Sequence, residues 1–417
     1  MRDTKGKIEW ARGFGKRDIE KNLDVTPETI FQAGSVSKPV FALSTMLLSQ
    51  SGEINIDTDV NDYLQSWKVP KVGKWQPRIT LRQLLSHTAG TNVHGFLGYS
   101  IDEEIPTVPQ LLSGQYPSNS SPIVVNTLPG LSYRYSGGGI VVAQLTIEEA
   151  INQPFHEVIH NTVMVPLELE KSTYNQYLSK ELEFKAATGY TYKNIPMKNR
   201  YHIYPEAAAG GLWSNPSELG KIFIEMQKAL SGKSDLIDKK TALELLNPQL
   251  KDSPVGLGFF LYGEGESARF GHRGWDEGFL TKVVAYKNYG KGAVIMLNSN
   301  EGSSLLDEIL RSIAIEYNWP DYSPDPINYE NLEGHHLKSL EGQYLSATDE
   351  KVSISIDKNG GIMMKCLNQD SIKLFSKGGN LNFGNPNLNI NVFFKDQELI
   401  INQNNRAFSF KKTTYNK

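Results

Sequence analysis

The segment Phe31-Gln32-Ala33-Gly34-Ser35-Val36-Ser37-Lys38 sets a Ser and a Lys three residues apart at the head of an apolar run. At that spacing both side chains share one helical face, one turn apart. A Ser hydroxyl is a weak nucleophile until a neighbour takes its proton, and a partly desolvated Lys can do so. The plain alternative is a helix N-cap at Ser35 with Lys38 in solvent. The text that follows, Pro39-Val40-Phe41-Ala42-Leu43-Ser44-Thr45-Met46-Leu47-Leu48 up to Gly52, weighs against it. Val40, Leu43 and Leu47 fall on one stripe, with Phe41 and Leu48 beside it, so the helix is apolar nearly all round and belongs in a core. A Lys in the first turn of a buried helix is costly without a partner or a task. The helix N-terminus also brings N–H groups and a positive dipole end to Ser35, where they would stabilise an oxyanion. Ser35 is therefore a candidate nucleophile and Lys38 its candidate proton partner.

Two further stretches carry side chains suited to chemistry. Leu128-Pro129-Gly130-Leu131-Ser132-Tyr133-Arg134-Tyr135-Ser136-Gly137-Gly138-Gly139 makes a turn, then two alternating aromatics, then a small-residue break before a helix. A Tyr held at such a break can aim its phenol into a pocket, which makes Tyr135 a candidate general base. A half-buried structural aromatic is the plain alternative. Gly271-His272-Arg273-Gly274-Trp275-Asp276-Glu277-Gly278-Phe279 reads as a strand edge. Gly274 would let a substrate backbone lie against the strand. The N–H of Trp275 is the expected second oxyanion donor. His272 is expected to orient or protonate a leaving group, its alternative being a structural histidine.

In this order the three stretches resemble the penicillin-binding-protein and class C β-lactamase-like serine hydrolases, which include esterases and D-amino-acid-specific peptidases. In that family S-x-x-K supplies the nucleophile and a Lys, Y-x-N supplies the Tyr, and a K-T-G or H-x-G strand edges the pocket. Ser35 with Lys38, Tyr135, and His272 with Gly274 match these motifs. Leu85-Ser86-His87-Thr88-Ala89-Gly90 and Ala209-Gly210-Gly211-Leu212-Trp213-Ser214 also look like recurring family text. Both are read as structural, and His87 as non-catalytic. The resemblance covers roughly residues 5–320.

The chain departs from the family pattern in three places. Gly137 stands where Y-x-N has Asn, whose amide usually contacts the Lys and the acylamide side chain of the substrate, so weak or no β-lactam hydrolysis is expected. His272 and Arg273 replace the Lys and Thr of K-T-G. That favours the esterase or peptidase branches, with Arg273 expected to restore part of the carboxylate recognition. The family's opening helix and first strand find no counterpart, so either the text is truncated at its start or the fold closes differently.

With 417 residues the chain is long enough for two or three domains. A net charge of −3 gives no bulk signal for nucleic acid or an anionic membrane surface. No run is apolar enough for a membrane helix. A single cysteine, Cys366, excludes an intrachain disulfide and a multi-cysteine metal site, and it reads as a small buried apolar residue. The N-terminal text has no signal-peptide core. Periplasmic or secreted placement is expected if a leader has been lost, and cytoplasmic placement otherwise.

Along the chain, Lys7 to Gly15 reads as a strand and turn. Thr80 to His87 reads as a capped helix, with Gln83 three residues after Thr80. Residues 90–130 are rich in Gly, Pro, Ser and Asn and read as an irregular pocket wall. Helices are expected from Gly139 to Gln153, Leu219 to Ala229 and Ser304 to Tyr317, the last with Leu305, Ile309, Ile313 and Ile315 inward. Strands are expected at Gly256 to Leu261, Phe279 to Tyr286 and Lys291 to Leu297. Pro320 to Pro326 has linker composition. From about Leu340 some eight short alternating segments suggest a β-meander or small barrel.

The expected architecture is an α/β (α+β) domain over 1–325, with an antiparallel sheet flanked by helices and a helical subdomain inserted at about 80–180. A linker at 326–339 and an all-β, barrel-like accessory domain at 340–417 follow. The expected chemistry is acyl transfer through a Ser35 acyl-enzyme on esters, or on amides of D-amino acids or short peptides, with no metal or organic cofactor. Lys38 and Tyr135 share the proton work. His272, Arg273, Gly274, Trp275 and Gly137 border the substrate. The expected partners are small molecules, with no nucleic acid. The alternatives are a true β-lactamase or penicillin-binding peptidase, and a catalytically inactive peptide or peptidoglycan-fragment receptor.

Overall fold

Ile30 to Leu48 holds one half-buried side chain, Ser35, in an otherwise buried run. This follows from the apolar girth of helix α1 (Ser37–Gln50), in which every residue from Ser37 to Leu48 is buried. A computed structural model describes residues 6–251, 253–288, 290–322, 334–346, 349–366, 371–377, 381–385, 390–403 and 406–413. It resolves into two compact units, Met1–Leu306 and Asp307–Lys417.

In the first unit a short ladder pairs β1 (Phe31–Gln32) with β2 (Trp213–Ser214). Helix α2 (Gly137–Ile151) is buried from Gly137 to Ile147. Its N-cap is Ser136, whose Oγ accepts the Gly139 N–H, so the helix begins two residues before the expected Gly139. Helix α3 (Ala207–Gly210) is one turn of small residues and is fully buried. Helix α4 (Pro216–Leu230) starts on the Asn215 cap with Pro at its first position. An antiparallel sheet then runs in the order β6-β5-β4-β3, built from β3 (Phe260–Tyr262), β4 (Arg269–Asp276), β5 (Phe279–Tyr286) and β6 (Gly292–Leu297). The register of β4 on β5 sets His272 opposite Val283 and Gly274 opposite Thr281.

Several sequence expectations are corrected here. Lys7 to Gly15 is not a strand. The first pairing is Lys16–Asp18 with Leu23–Asp24. The strand expected from Gly256 starts at Phe260, because Gly258 has a positive φ of 77° that breaks extended backbone. The 90–130 region contains a helix, Val108–Ser113, whose Thr107 and Gln110 form a capping box. Thr80 and Gln83 form the expected box on Leu81–Leu85. In helix α5 (Ser303–Glu316) the buried stripe is Leu306, Leu310 and Ala314, while Leu305 and Ile315 are exposed. The buried stripe thus lies one residue further along than expected at each turn.

The second unit includes helix α6 (Gly334–Leu340), in a stretch expected as linker. The rest of that linker, up to residue 333, lies outside the described residues. Eight strands from Gly342–Leu345 to Arg406–Lys412 close into an antiparallel barrel. Alternation fills its interior: Val352 and Ile354 of one strand, Ile362 and Met364 of the next, then Phe383, Val392, Phe394, Leu399, Ile401 and Phe410. Cys366 is half-buried against this core rather than fully inside it.

Candidate active site

Ser35 sits in a single 3₁₀ turn, Gly34–Val36, that leads into α1. The turn is pinned by a relay of hydrogen bonds. Ala33 N–H donates to the Leu212 carbonyl at 2.8 Å, Leu212 N–H donates to Ser37 Oγ at 3.0 Å, and Ser37 Oγ donates to the Gly34 carbonyl at 2.6 Å. Tyr174 adds a bond from its phenol to the Ser37 carbonyl at 2.6 Å. The Ala209 to Ser214 segment is thus structural in a specific sense: it holds the turn that presents Ser35.

Lys38 is 2% exposed. Its Nζ donates to Ser35 Oγ at 2.9 Å and to the Ala209 carbonyl at 2.6 Å. Tyr135 reaches the same oxygen from the other side, its phenol donating to Ser35 Oγ at 3.1 Å. Lys38 Nζ also lies 5.2 Å from the centre of the Tyr135 ring. The three side chains named from the sequence therefore converge on one oxygen atom.

Tyr135 is held by its neighbours. The His87 ring lies 4.3 Å from it, centre to centre, and the His94 ring 4.8 Å. Burial, and then the nearby Lys38, hold His87 well below the usual imidazole range. It is neutral, and its Nδ1 accepts the Ser136 N–H at 3.2 Å. His87 fixes the backbone beside Tyr135. His94 went unnoticed in the sequence, where nothing but its place in the irregular 90–130 wall marked it.

Strand β4 closes the other side. Its inward positions His272, Gly274 and Asp276 are buried, and Arg273 and Trp275 between them are exposed. A Cβ on Gly274 would stand 2.0 Å from the Ala33 carbonyl oxygen and 3.2 Å from the Ser35 nitrogen. A Cβ on Gly34 would stand 2.5 Å from the Trp275 nitrogen, and Gly34 has a φ of +54°. Two glycines thus bring the Ser35 and Trp275 backbones together. What lies against Gly274 is the protein's own Ala33, not the substrate backbone expected there.

Burial, and then Lys38, push His272 down to about 3. A neutral ring whose Nδ1 lies 2.7 Å from the Arg273 carbonyl carries its proton there and leaves Nε2 as an acceptor. Such a ring can orient a substrate or take a proton. It has no ring proton on Nε2 to give to a leaving group. Arg273 leaves the opposite face of the strand, and its guanidinium donates to the carbonyl and hydroxyl of Ser303. The expected carboxylate-recognising Arg273 is thus engaged by Ser303, away from the buried face that His272 and Gly274 share. Gly137 is packed tightly, because a Cβ there would meet the His94 carbonyl oxygen at 3.0 Å and the Phe96 ring at 3.2 Å. The wall segment would have to give by a few tenths of an ångström to admit a Cβ at this position.

Among the described residues no group of three or more His, Cys, Asp or Glu is placed to hold a metal ion. A surface cleft lined by His156, Glu157, His160, Asn161, Thr173 and Asn175 includes none of the Ser35 site residues.

Residues 4–316 match the family model described as Beta-lactamase. The chain belongs to the beta-lactamase family and is a serine hydrolase. It is 24% identical over 229 residues to a teichoic acid D-alanine hydrolase of Staphylococcus aureus, a match covering 54% of this chain and 52% of the relative. The chain thus matches about half the length of that curated relative. Among solved structures it resembles the octameric penicillin-binding protein homologue from Pyrococcus abyssi, with a TM-score of 0.65 and 21% identity over 97% of this chain and 94% of the other. It also resembles the D-amino acid amidase from Ochrobactrum anthropi SV3, with a TM-score of 0.57 and 19% identity over 73% of this chain and 89% of the other. With the family match, these likenesses show a beta-lactamase and penicillin-binding-protein-like fold, to which the chain adds its closed barrel.

Proposed function

We propose that the protein hydrolyses esters, or amides of D-amino acids and short peptides, through an acyl-enzyme on Ser35. The observation that carries this reading is the convergence of Lys38 Nζ and the Tyr135 phenol on Ser35 Oγ, at 2.9 and 3.1 Å. As the bond to the substrate carbonyl forms, one of these two groups takes the Ser35 proton, and the other steadies the oxygen. The Ser35 and Trp275 N–H groups receive the negative charge that develops on the carbonyl oxygen. The proton passes to the leaving alcohol or amine through the Lys38–Tyr135 pair, since neutral His272 offers no proton at Nε2. His272 Nε2 instead accepts a hydrogen bond from the bound substrate. Water then cleaves the acyl-enzyme by the same route in reverse.

A D-alanyl ester is the favoured substrate type, because the matched relative is a teichoic acid D-alanine hydrolase and a structural neighbour is a D-amino acid amidase. Weak β-lactam turnover fits the absence of the Asn amide at Gly137, where the His94 carbonyl and the Phe96 ring would have to give by a few tenths of an ångström for a Cβ. The test is turnover of p-nitrophenyl acetate, D-alanine methyl ester, D-alanine p-nitroanilide and a chromogenic cephalosporin by wild type and Ser35→Ala. The expected result is ester turnover that Ser35→Ala loses, with little cephalosporin turnover. Cephalosporin as the best substrate would overturn the choice of branch.

A further inference from the structure

Strand β3 is the last strand of the sheet, and its three residues face two ways. Leu261 packs against the core of the first unit. Its neighbours Phe260 and Tyr262 leave the other face of the strand, where Phe260 is half-buried and Tyr262 is 41% exposed. Opposite Phe260 in the ladder stands Gly271, which has no side chain to cover the ring. A single exposed aromatic is ordinary. These two are notable for where their rings lie.

The Phe260 ring stands 5.0 Å from the His272 ring, edge to face, and 6.2 Å from the Tyr135 ring, from which it is tilted by 24°. Tyr262 follows at 6.3 Å from Phe260, tilted by 19°. These spacings are those of interacting aromatic pairs. The guanidinium of Arg269 on β4 holds the outer ring, 5.6 Å from its centre. A row of three nearly parallel rings therefore leads from the phenol on Ser35 Oγ to the exposed Tyr262. It forms an ordered, apolar wall beside the nucleophile, and the chemistry described above assigns it no task.

We propose that Phe260, with Tyr262 beside it, determines specificity for the leaving group, favouring esters and amides whose alcohol or amine carries an aromatic or extended apolar body. This rests on the acyl-transfer reading and leaves the D-alanyl acyl part as it stands. The proton for the departing group comes through the Lys38–Tyr135 pair, so that group lies against Tyr135 when its bond breaks. The carbonyl oxygen is held instead by the Ser35 and Trp275 N–H groups. The ring row starts at Tyr135, so it borders the departing group and not the acyl group. The same wall serves the reverse step. An alcohol of this kind is guided to the acyl-enzyme, its oxygen bonds to the acyl carbon, the bond to Ser35 Oγ breaks, and the alcohol's proton returns to Ser35 through the same pair.

The test compares kcat/KM for ethyl acetate and phenethyl acetate, whose alcohols are close in acidity, in wild type, Phe260→Ala and Phe260→Leu. Ser35→Ala serves as the blank, and p-nitrophenyl acetate against butyrate reports the acyl side. A second readout is the share of acyl-enzyme, formed from p-nitrophenyl acetate, that phenethyl alcohol captures relative to ethanol at equal concentration. Wild type should prefer the phenethyl ester by about tenfold, and phenethyl alcohol should be the better acceptor. In Phe260→Ala both preferences should fall to near parity, while the acetate-to-butyrate ratio stays put. Phe260→Leu keeps apolar volume without a ring face and should fall between, so it remains informative if Phe260→Ala folds poorly. Unchanged phenethyl preference in both variants would overturn the proposal. So would an equal loss on every ester, which marks a merely structural ring, or a shift in the acetate-to-butyrate ratio instead. Absence of Ser35-dependent turnover of any ester would overturn the acyl-transfer reading itself.

Discussion

The carbonyl of Ala33 lies so close to Gly274 that a Cβ there would stand 2.0 Å from its oxygen. This contact, one residue before each partner of the Gly34–Trp275 approach, sets the distance between the two backbone nitrogens available to an oxyanion. The separation of these donors is therefore governed by the absence of a side chain at 274. Gly274→Ala should force the strand and the turn apart. The expected cost is about 1–3 kcal/mol of stability, as for overpacking. Activity should fall more than stability, because the oxyanion donors move. Thermal unfolding and kcat on the same ester separate the two effects.

Lys38 and Tyr135 should not be equivalent to their isosteres. Lys38→Met keeps the buried stem and removes the nitrogen, and Tyr135→Phe keeps the ring contact with His87 and removes the hydroxyl. Each should lower kcat on the order of 10²–10⁴-fold with near-native unfolding temperatures. A kcat within threefold of wild type in either variant would remove that residue from the proton path.

Restoring the family's Asn at Gly137 should not restore β-lactam hydrolysis. The His94 carbonyl and the Phe96 ring crowd its Cβ at 3.0 and 3.2 Å. Gly137→Asn should destabilise the protein by about 1–3 kcal/mol and leave cephalosporin turnover no higher. A gain in cephalosporin turnover would show that the wall segment yields.

Acid stability should carry the signature of the buried imidazole. His272 is pushed down to about 3 in the folded protein, against an ordinary imidazole value of 6.5. Below 6.5 the unfolded chain binds a proton that the folded chain refuses, so stability falls as pH drops from 6.5 toward 3. His87 acts with the same sign. Glu206 has the opposite sign. With its carboxyl raised to about 8 from 4.5, its contribution is full below 4.5 and is lost as pH rises toward 8. Unfolding temperatures at pH 7 and pH 5 should therefore drop less for His272→Gln than for wild type. Equal drops would mean that the ring is protonated in the folded state.

The nucleophile and its partners were legible for a local reason. Ser35 and Lys38 are one helical turn apart, and the apolar girth of the helix that follows announces that Lys38 is buried. Tyr135 was singled out by its match to the family's Y-x-N beside a small-residue break, and the barrel by evenly spaced, alternating short segments between turn residues. What was hidden depends on distant partners. His94 matters because its ring packs against Tyr135, and Glu206 matters because its turn carries the carbonyl that holds Lys38. Arg273 was misread because its type, not its side of the strand, was weighed. Alternation along β4 puts 272, 274 and 276 on one face and 273 on the other, which would also have marked Asp276. The stripe in Ser303–Glu316 slipped because several adjacent apolar residues fit more than one helical face.

The most direct test of the account is the site of covalent capture. Intact-mass and peptide mass spectrometry after reaction with a fluorophosphonate should find one adduct, on Ser35. Labelling should be slowed by Lys38→Met and absent in Ser35→Ala. A protein that remains unlabelled, or carries its adduct on another residue, would contradict Ser35 as the nucleophile.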